Sequence, residues 1–146
     1  MAQLSRPEDP HALGRFVAAQ DGTWDVALSE LRQGRKQSHW MWFIFPQLRG
    51  LGRSEMSHFY GIADLDEATR YLAHPVLGPR LVECAGAVLT HRGTPAEAIM
   101  GPVDAGKLRS SATLFGAVDG APDVFDRILA EFFDARPCRR TAERLG

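Results

Sequence analysis

Apolar residues recur at intervals of three and four along most of the chain, which is the pattern of helices that bury one face. Near the C-terminus, for example, Val124, Ile128 and Phe132 fall on one helical face. Similar stripes or helix-start signals predict helices in seven segments, at about residues 13–17, 24–31, 65–72, 79–90, 94–97, 107–114 and 124–133.

The breaks between these segments are rich in glycine and proline, of which the chain has 14 and 9. Asp64 and Glu67 have the spacing of a capping box, and Pro75 interrupts the chain because proline cannot continue a helix interior. The run Trp40 to Phe45 is apolar throughout, so periodicity does not separate a buried helix from a buried strand there. The sequence predicts an all-α fold, a compact irregular helical domain of about seven short helices with Gly/Pro-rich connections.

Length and composition indicate one folded domain. The chain has 146 residues, of which 45% are hydrophobic and 24% are charged, as is typical of a globular protein. We expect a flexible N-terminus over residues 1–8 and a single helical domain over residues 9–146. The formal net charge of −1 does not favour nucleic acid as a partner, since nucleic-acid binders usually carry a basic excess. Arg32, Arg35 and Lys36 still leave a local basic cluster as an alternative.

Targeting and metal-binding patterns are not found in the sequence. Residues 1–10 lack the apolar core of a signal peptide, and no apolar run approaches the roughly 20 residues of a membrane span. We therefore expect a cytoplasmic protein with no membrane partner. Cys84, Cys138 and the five histidines show no zinc-like spacing, so the sequence predicts no metal and no cofactor. It leaves the oligomeric state open.

Residues 34–47, GRKQSHWMWFIFPQ, place an aromatic run directly after cationic and hydrogen-bonding side chains. Ligand pockets combine apolar walls with a few convergent polar groups, so this segment is a candidate binding site. His39 is a candidate general base, because histidine titrates near neutral pH. The alternative is structural: the aromatic run fills the core, and the basic residues stabilise the C-terminus of the preceding helix.

Residues 101–115, GPVDAGKLRSSATLF, form the second candidate segment. On a helix, Lys107, Ser110 and Ser111 are neighbours, so the lysine could hold an anionic group or activate a hydroxyl. The glycines and the lysine lack P-loop spacing. The alternative is that the small hydroxyl side chains cap and join helices.

The two segments together predict one pocket for an anionic, nucleotide- or ADP-ribose-like small molecule, with hydrolysis of that ligand as a further step. The alternative is a non-enzymatic protein-interaction or regulatory module that uses an aromatic groove. The sequence does not decide between an enzyme and a binding protein. The catalytic candidates are His39, Lys107 and Ser110, and the ligand-binding candidates are Arg35, Lys36, Trp40, Trp42, Gln47, Asp104, Arg109 and Ser111.

These motifs resemble family 1810 of the domains of unknown function, over about residues 9–146. The resemblance rests on residues 30–47, 71–81 and 104–115 and on Phe132-Phe133. It implies a small, mainly helical bacterial domain and supplies no established substrate or catalytic residue. The chain departs from the family pattern at Ala135 and Cys138, where glycine and aspartate are expected.

Two further resemblances to known proteins concern the function of the chain. Members of the family are often labelled calpastatin in automatic annotation, but calpastatins are disordered inhibitors, and this chain has the apolar content of a folded core. A looser similarity in motif style to the ADP-ribose-processing NADAR family agrees with the nucleotide-like ligand.

Overall fold

The computed structural model describes residues 13–146, which form ten helices and no β-strand. The predicted flexible segment 1–8 lies outside the described residues. One isolated parallel bridge joins Leu48 and Ile62. The helices are α1 (Gly14–Gln20), α2 (Trp24–Gln33), α3 (Met41–Ile44), α4 (Glu55–Phe59), α5 (Leu65–Ala73), α6 (Leu77–Leu89), α7 (Ala96–Met100), α8 (Pro102–Gly116), α9 (Val124–Phe132) and α10 (Arg139–Leu145).

The prediction of an all-α fold is confirmed, with three more helices among the described residues than the sequence predicted. The additional helices are α3, α4 and α10, which have four, five and seven residues. Helices this short complete at most two turns and therefore show little periodicity. The ambiguous aromatic run contains α3, so it forms a single helical turn rather than a strand.

Side chains define the starts of α5 and α6. The Asp64 carboxylate accepts a hydrogen bond from the Glu67 amide at 2.9 Å, as the predicted capping box requires. The Glu67 carboxylate accepts from the Ala63 amide at 2.7 Å instead of from Asp64 itself. At α6, the His74 ring Nδ1 accepts from the Leu77 amide at 3.2 Å, and the helix begins two residues earlier than predicted.

Helix α8 lies at the centre of the fold and packs against α5, α7, α9 and α10. A chain of aromatic contacts crosses the core through it. The ring centroids of Phe16 and Tyr71 are 5.1 Å apart, those of Tyr71 and Phe115 are 5.2 Å apart, and those of Phe115 and Phe125 are 5.8 Å apart. These contacts join α1, α5, α8 and α9 into one apolar core.

A buried ion pair joins α1 to α5. Arg15 Nη1 is 3.0 Å from Glu67 Oε2, and both side chains are almost fully buried. The guanidinium also donates to the carbonyl oxygens of Phe59 and Gly61, at 2.7 and 2.8 Å. These additional hydrogen bonds are needed because a buried ion pair alone rarely repays its desolvation.

The segment that follows α9 adopts a backbone conformation that favours glycine. Asp134 and Ala135 have φ angles of 54° and 60°, in the left-handed region. The Ala135 amide donates to the Leu129 carbonyl at 2.8 Å, which closes the end of α9. Glycine adopts this conformation without steric cost, which gives a physical reason for the glycine expected here from the family resemblance.

Helix α10 then packs on α8, and polar contacts help to join this segment to that helix. The hydroxyls of Ser110 and Thr141 are 2.8 Å apart, and the Cys138 amide donates to the Thr113 hydroxyl at 2.8 Å. Within residues 13–146, no helix is both long enough and apolar enough to cross a membrane.

Candidate functional site

Glu30, near the end of α2, folds the first candidate segment back onto that helix. Its carboxylate accepts hydrogen bonds from the Gln37 amide at 2.8 Å, the Ser38 amide at 2.9 Å and the Ser38 hydroxyl at 2.6 Å. It also accepts from the Trp40 indole at 3.0 Å. Burial by itself would raise the pKa of Glu30, but these hydrogen bonds more than offset it and lower the pKa from 4.5 to about 2.

The turn between α2 and this segment depends on Gly34. Its φ of 74° is left-handed, and an added Cβ would lie 2.9 Å from the His91 ring. The His91 Nε2 contacts the carbonyl oxygens of Leu31 and Arg32 at 2.9 and 3.0 Å, at the C-terminal end of α2. Gly34 therefore allows the His91 ring to cover the helix end closely.

The two candidate segments meet through Asp104. The Lys36 amide donates to the Ile99 carbonyl at 2.8 Å, and Lys36 Nζ is 2.9 Å from Asp104 Oδ2. On the other carboxylate oxygen, Lys107 Nζ is 3.6 Å from Oδ1. Because one carboxylate is shared by two ammonium groups, this trio carries a net charge of +1.

Aromatic faces hold both lysines in place. Lys36 Nζ lies 4.8 Å from the centre of the Trp40 ring, and Lys107 Nζ lies 4.7 Å from that of Trp42. Contacts of this kind are favourable cation–π interactions. Lys36 is nearly buried, whereas the Lys107 side chain is about one fifth exposed and borders a surface pocket.

We name this pocket the α8–α10 pocket. It has a volume of about 350 Å³, within the range of small-molecule sites. Lys107 and Arg140 are basic, and no acidic side chain lines the pocket. Within residues 13–146, the structure gives the Arg140 side chain no ion pair. The lining residues are Gln47, Leu51, Gly52, Ser57, Val103, Gly106, Lys107, Ser110, Cys138 and Arg140.

Hydrogen-bond donors gather around Cys138 in this pocket. Partial burial would raise the pKa of the Cys138 thiol, but hydrogen bonds from Thr141, the Ser110 hydroxyl and the Arg140 amide lower this pKa below its usual value. The local environment therefore stabilises negative charge. Cys84 is different, because its burial raises its thiol pKa to about 12.

The structure brings some of the predicted site residues together. Lys107, Ser110 and Gln47 line the α8–α10 pocket. Two more predicted residues lie next to the pocket because they contact Lys107 directly, namely Asp104 and Trp42. Lys36 is linked to Lys107 through Asp104. The Ser110 hydroxyl is 2.8 Å from Thr141, so it also joins α8 to α10, as the structural alternative proposed.

The other predicted site residues lie elsewhere. Trp40 is fully buried, and Ser111 is buried with no hydrogen-bond partner for its hydroxyl. Arg35 and His39 are exposed outside the pocket lining. Arg109 donates to the Arg136 carbonyl at 2.9 Å, beside the Phe133 ring.

Several residues of the pocket could not be predicted from the sequence. Cys138 and Arg140 are about thirty positions after Lys107, and Ser57 is fifty positions before it. None of them belongs to a motif with chemical spacing. Arg140 sits in the short helix α10, which periodicity did not reveal.

A larger depression of about 540 Å³ lies on another part of the surface and includes Arg49, Asp64, Asp66 and Arg144. Hydrogen bonds and ion pairs within the protein already involve much of its polar lining. Arg49 donates to the carbonyl oxygens of His58 and Gly61, and Asp64 caps α5. Asp66 is paired with Arg70 at 3.2 Å. We therefore regard the smaller α8–α10 pocket as the better candidate site.

Comparison with known proteins identifies relatives without a described function. The sequence profile of "Protein of unknown function (DUF1810)" matches residues 10–145. The crystal structure of the conserved hypothetical protein Rv1873 from Mycobacterium tuberculosis is similar, with a TM-score of 0.89 and 49% sequence identity, covering 94% of this chain and 98% of that one. No curated protein gives a significant match.

Proposed function

For this chain, which belongs to the DUF1810 family of proteins of unknown function, we propose that the α8–α10 pocket binds a small phosphate-bearing ligand. The observation that carries the proposal is the charge of the pocket: Lys107 and Arg140 line it, and no acidic side chain does. The nearest carboxylate, Asp104, is already balanced by Lys36 at 2.9 Å. The positive charge of Lys107 is thus available to an anion.

Hydrogen-bond donors support the same proposal. Gln47 and Ser57 also line the pocket, and an amide and a hydroxyl side chain can each donate a hydrogen bond. Against the effect of burial, hydrogen bonds from Thr141, Ser110 and Arg140 lower the pKa of the Cys138 thiol, so this part of the pocket stabilises negative charge. A volume of about 350 Å³ suits a sugar phosphate or a mononucleotide better than the larger ADP-ribose.

The proposal concerns binding rather than hydrolysis. Lys107 and Ser110 line the pocket, but His39, the predicted base, is outside its lining. The fully buried Trp40 has no free face on which a nucleobase could stack. The protein-interaction alternative has less support, because Trp42 is the one partly exposed member of the run Trp40 to Phe45.

Isothermal titration calorimetry with inorganic phosphate, ribose 5-phosphate, AMP and ADP-ribose tests the proposal. We expect Lys107→Gln and Arg140→Gln each to weaken binding at least tenfold, since each removes a charge-assisted hydrogen bond. Arg139→Gln is the matched control, because Arg139 is exposed, pairs with Glu143 at 3.0 Å and does not line the pocket. Equal losses in all three variants would mean that the anion binds to general surface charge, and the proposal would fail.

A further inference from the structure

The polarity of the α8–α10 pocket changes systematically along one face of α8. Val103, Gly106, Lys107 and Ser110 lie at positions i, i+3, i+4 and i+7, so they share that face and all line the pocket. Their exposure falls in the same direction: Val103 is 71% exposed, the Lys107 side chain is 21% exposed and Ser110 is 3% exposed. Val103 therefore marks the mouth of the pocket, and Ser110 marks its inner end.

Two large aliphatic side chains, Val103 and Leu51, belong to the pocket lining. Val103 is the most exposed large hydrophobic residue in the described part of the chain. Leu51 also lines the pocket and is partly buried against the core. Along α8, Lys107 lies one turn beyond Val103 and Ser110 lies a further turn along, while Arg140 lines the pocket from the exposed side of α10. A fully hydrophilic ligand would leave the exposed Val103 side chain without an apolar contact.

From this order of side chains we infer that the natural ligand is an amphiphilic anion, with a compact phosphate or carboxylate head and a short apolar body. The head binds at Lys107, and the body lies between Val103 and Leu51. This inference rests on the proposed function and adds the chemical class of the ligand. It also sets the orientation, with the charged end inward.

The test is a calorimetric titration of the full chain with n-alkyl phosphates from methyl to hexyl. We expect affinity to rise about two- to fourfold for each methylene that the mouth covers, and then to level off as the chain passes into solvent. The readout is the ratio of hexyl to methyl phosphate affinity. Val103→Ser should reduce that ratio severalfold, and Val76→Ser, at an exposed valine outside the pocket lining, should keep it.

The outcomes separate the two proposals. If methyl phosphate binds in a manner that depends on Lys107 but affinity does not rise with chain length, the inference is overturned and the phosphate site stands. If no alkyl phosphate binds, the proposed function fails with it. A third arm uses vesicles of phosphatidylcholine with phosphatidic acid: binding to these vesicles without binding to soluble alkyl phosphates would indicate a membrane surface site and overturn the inference.

Discussion

The indole nitrogen of Trp40 lies 3.0 Å from Oε1 of Glu30, and both residues are buried. Ten positions of sequence separate them, and the contact closes the loop that links α2 to α3. The same carboxylate binds the amides of Gln37 and Ser38. Glu30 thus satisfies the polar groups of a partly exposed turn together with the buried indole of Trp40, and it sets the path that brings Lys36 to Asp104.

Glu30 makes stability depend on pH in a defined direction. Its pKa is lowered in the folded state, so its contribution is complete above pH 4.5 and is lost as pH falls toward about 2. The shift corresponds to about 3 kcal/mol, of which about 2 kcal/mol is lost by pH 3. Urea unfolding at pH 6 and pH 3 measures this change. In Glu30→Gln, the stability deficit relative to the parent should be large at pH 6 and small at pH 3. A deficit equal at both values would contradict the role assigned to the carboxylate.

Two glycines of α6 should respond in opposite ways to the same substitution. A Cβ at Gly78 would lie 2.1 Å from the Leu72 carbonyl oxygen, a contact with backbone that cannot move aside easily. We expect Gly78→Ala to destabilise the protein by about 2–3 kcal/mol. A Cβ at Gly86 meets nothing within 4 Å, so Gly86→Ala should stabilise the helix by about 0.5–1 kcal/mol. Thermal unfolding of both variants measures the difference, and a stable Gly78→Ala protein would show that α5 and α6 are not so closely apposed.

The left-handed turn after α9 offers a stabilising change. Ala135 has a φ of 60°, which costs alanine roughly 1–2 kcal/mol and costs glycine nothing sterically. Ala135→Gly should raise the free energy of unfolding by about 1 kcal/mol. The control is Ala142→Gly at an exposed position within α10, which should lower it by about 0.5–1 kcal/mol. The two denaturation midpoints should therefore move apart, and a loss of stability in both variants would contradict the backbone conformation at residue 135.

The two cysteines should differ sharply in reactivity. Cys84 is buried and its pKa is raised to about 12, whereas Cys138 is partly exposed and its pKa is lowered. Alkylation by iodoacetamide requires the thiolate, so Cys138 should react at a pH below that needed for a free cysteine, while Cys84 stays unmodified in the native protein. Mass spectrometry should show no rapid alkylation of the native Cys138→Ser protein. The Cys84→Ala protein should still be alkylated rapidly, at Cys138.

The same reaction also reports on the pocket. Because Cys138 and Lys107 line one cavity, a phosphate ester bound there should slow alkylation of Cys138 in the parent protein. Lys107→Gln should lose that protection at the same ligand concentration. Protection that persists in Lys107→Gln would place the ligand elsewhere on the protein.

The helices that bury a continuous face were predictable from the sequence. Ile128 and its neighbours repeat at helical spacing because α9 packs on α6 and α8. The short helices α3, α4 and α10 were missed, since their positions are fixed by tertiary contacts rather than by periodicity. Arg15 is a similar case: its partner Glu67 is 52 positions away, and nothing near Arg15 in the sequence indicates that it is buried.

The sequence predicted the part of the candidate site that lies on a single helix. Lys107 and Ser110 share a face of α8 because of their spacing, and spacing is visible in a sequence. The partners from other segments were not visible. Arg140 reaches the pocket from α10, which follows the left-handed turn at Asp134 and Ala135 and packs on α8. Trp40 is the reverse case: an aromatic residue beside charges predicted a pocket wall, and the structure buries its side chain completely.

The way in which α10 is attached has a consequence for how long a ligand would stay bound. This helix supplies one wall of the pocket, yet Thr141 is its one buried residue, and polar contacts such as Ser110–Thr141 hold it on α8. A wall attached in this manner can detach locally while the aromatic core stays intact. The dissociation rate of a bound anion would then be set by the frequency of that detachment. Residence time could therefore change through the Ser110–Thr141 contact, without any change in the groups that recognise the ligand.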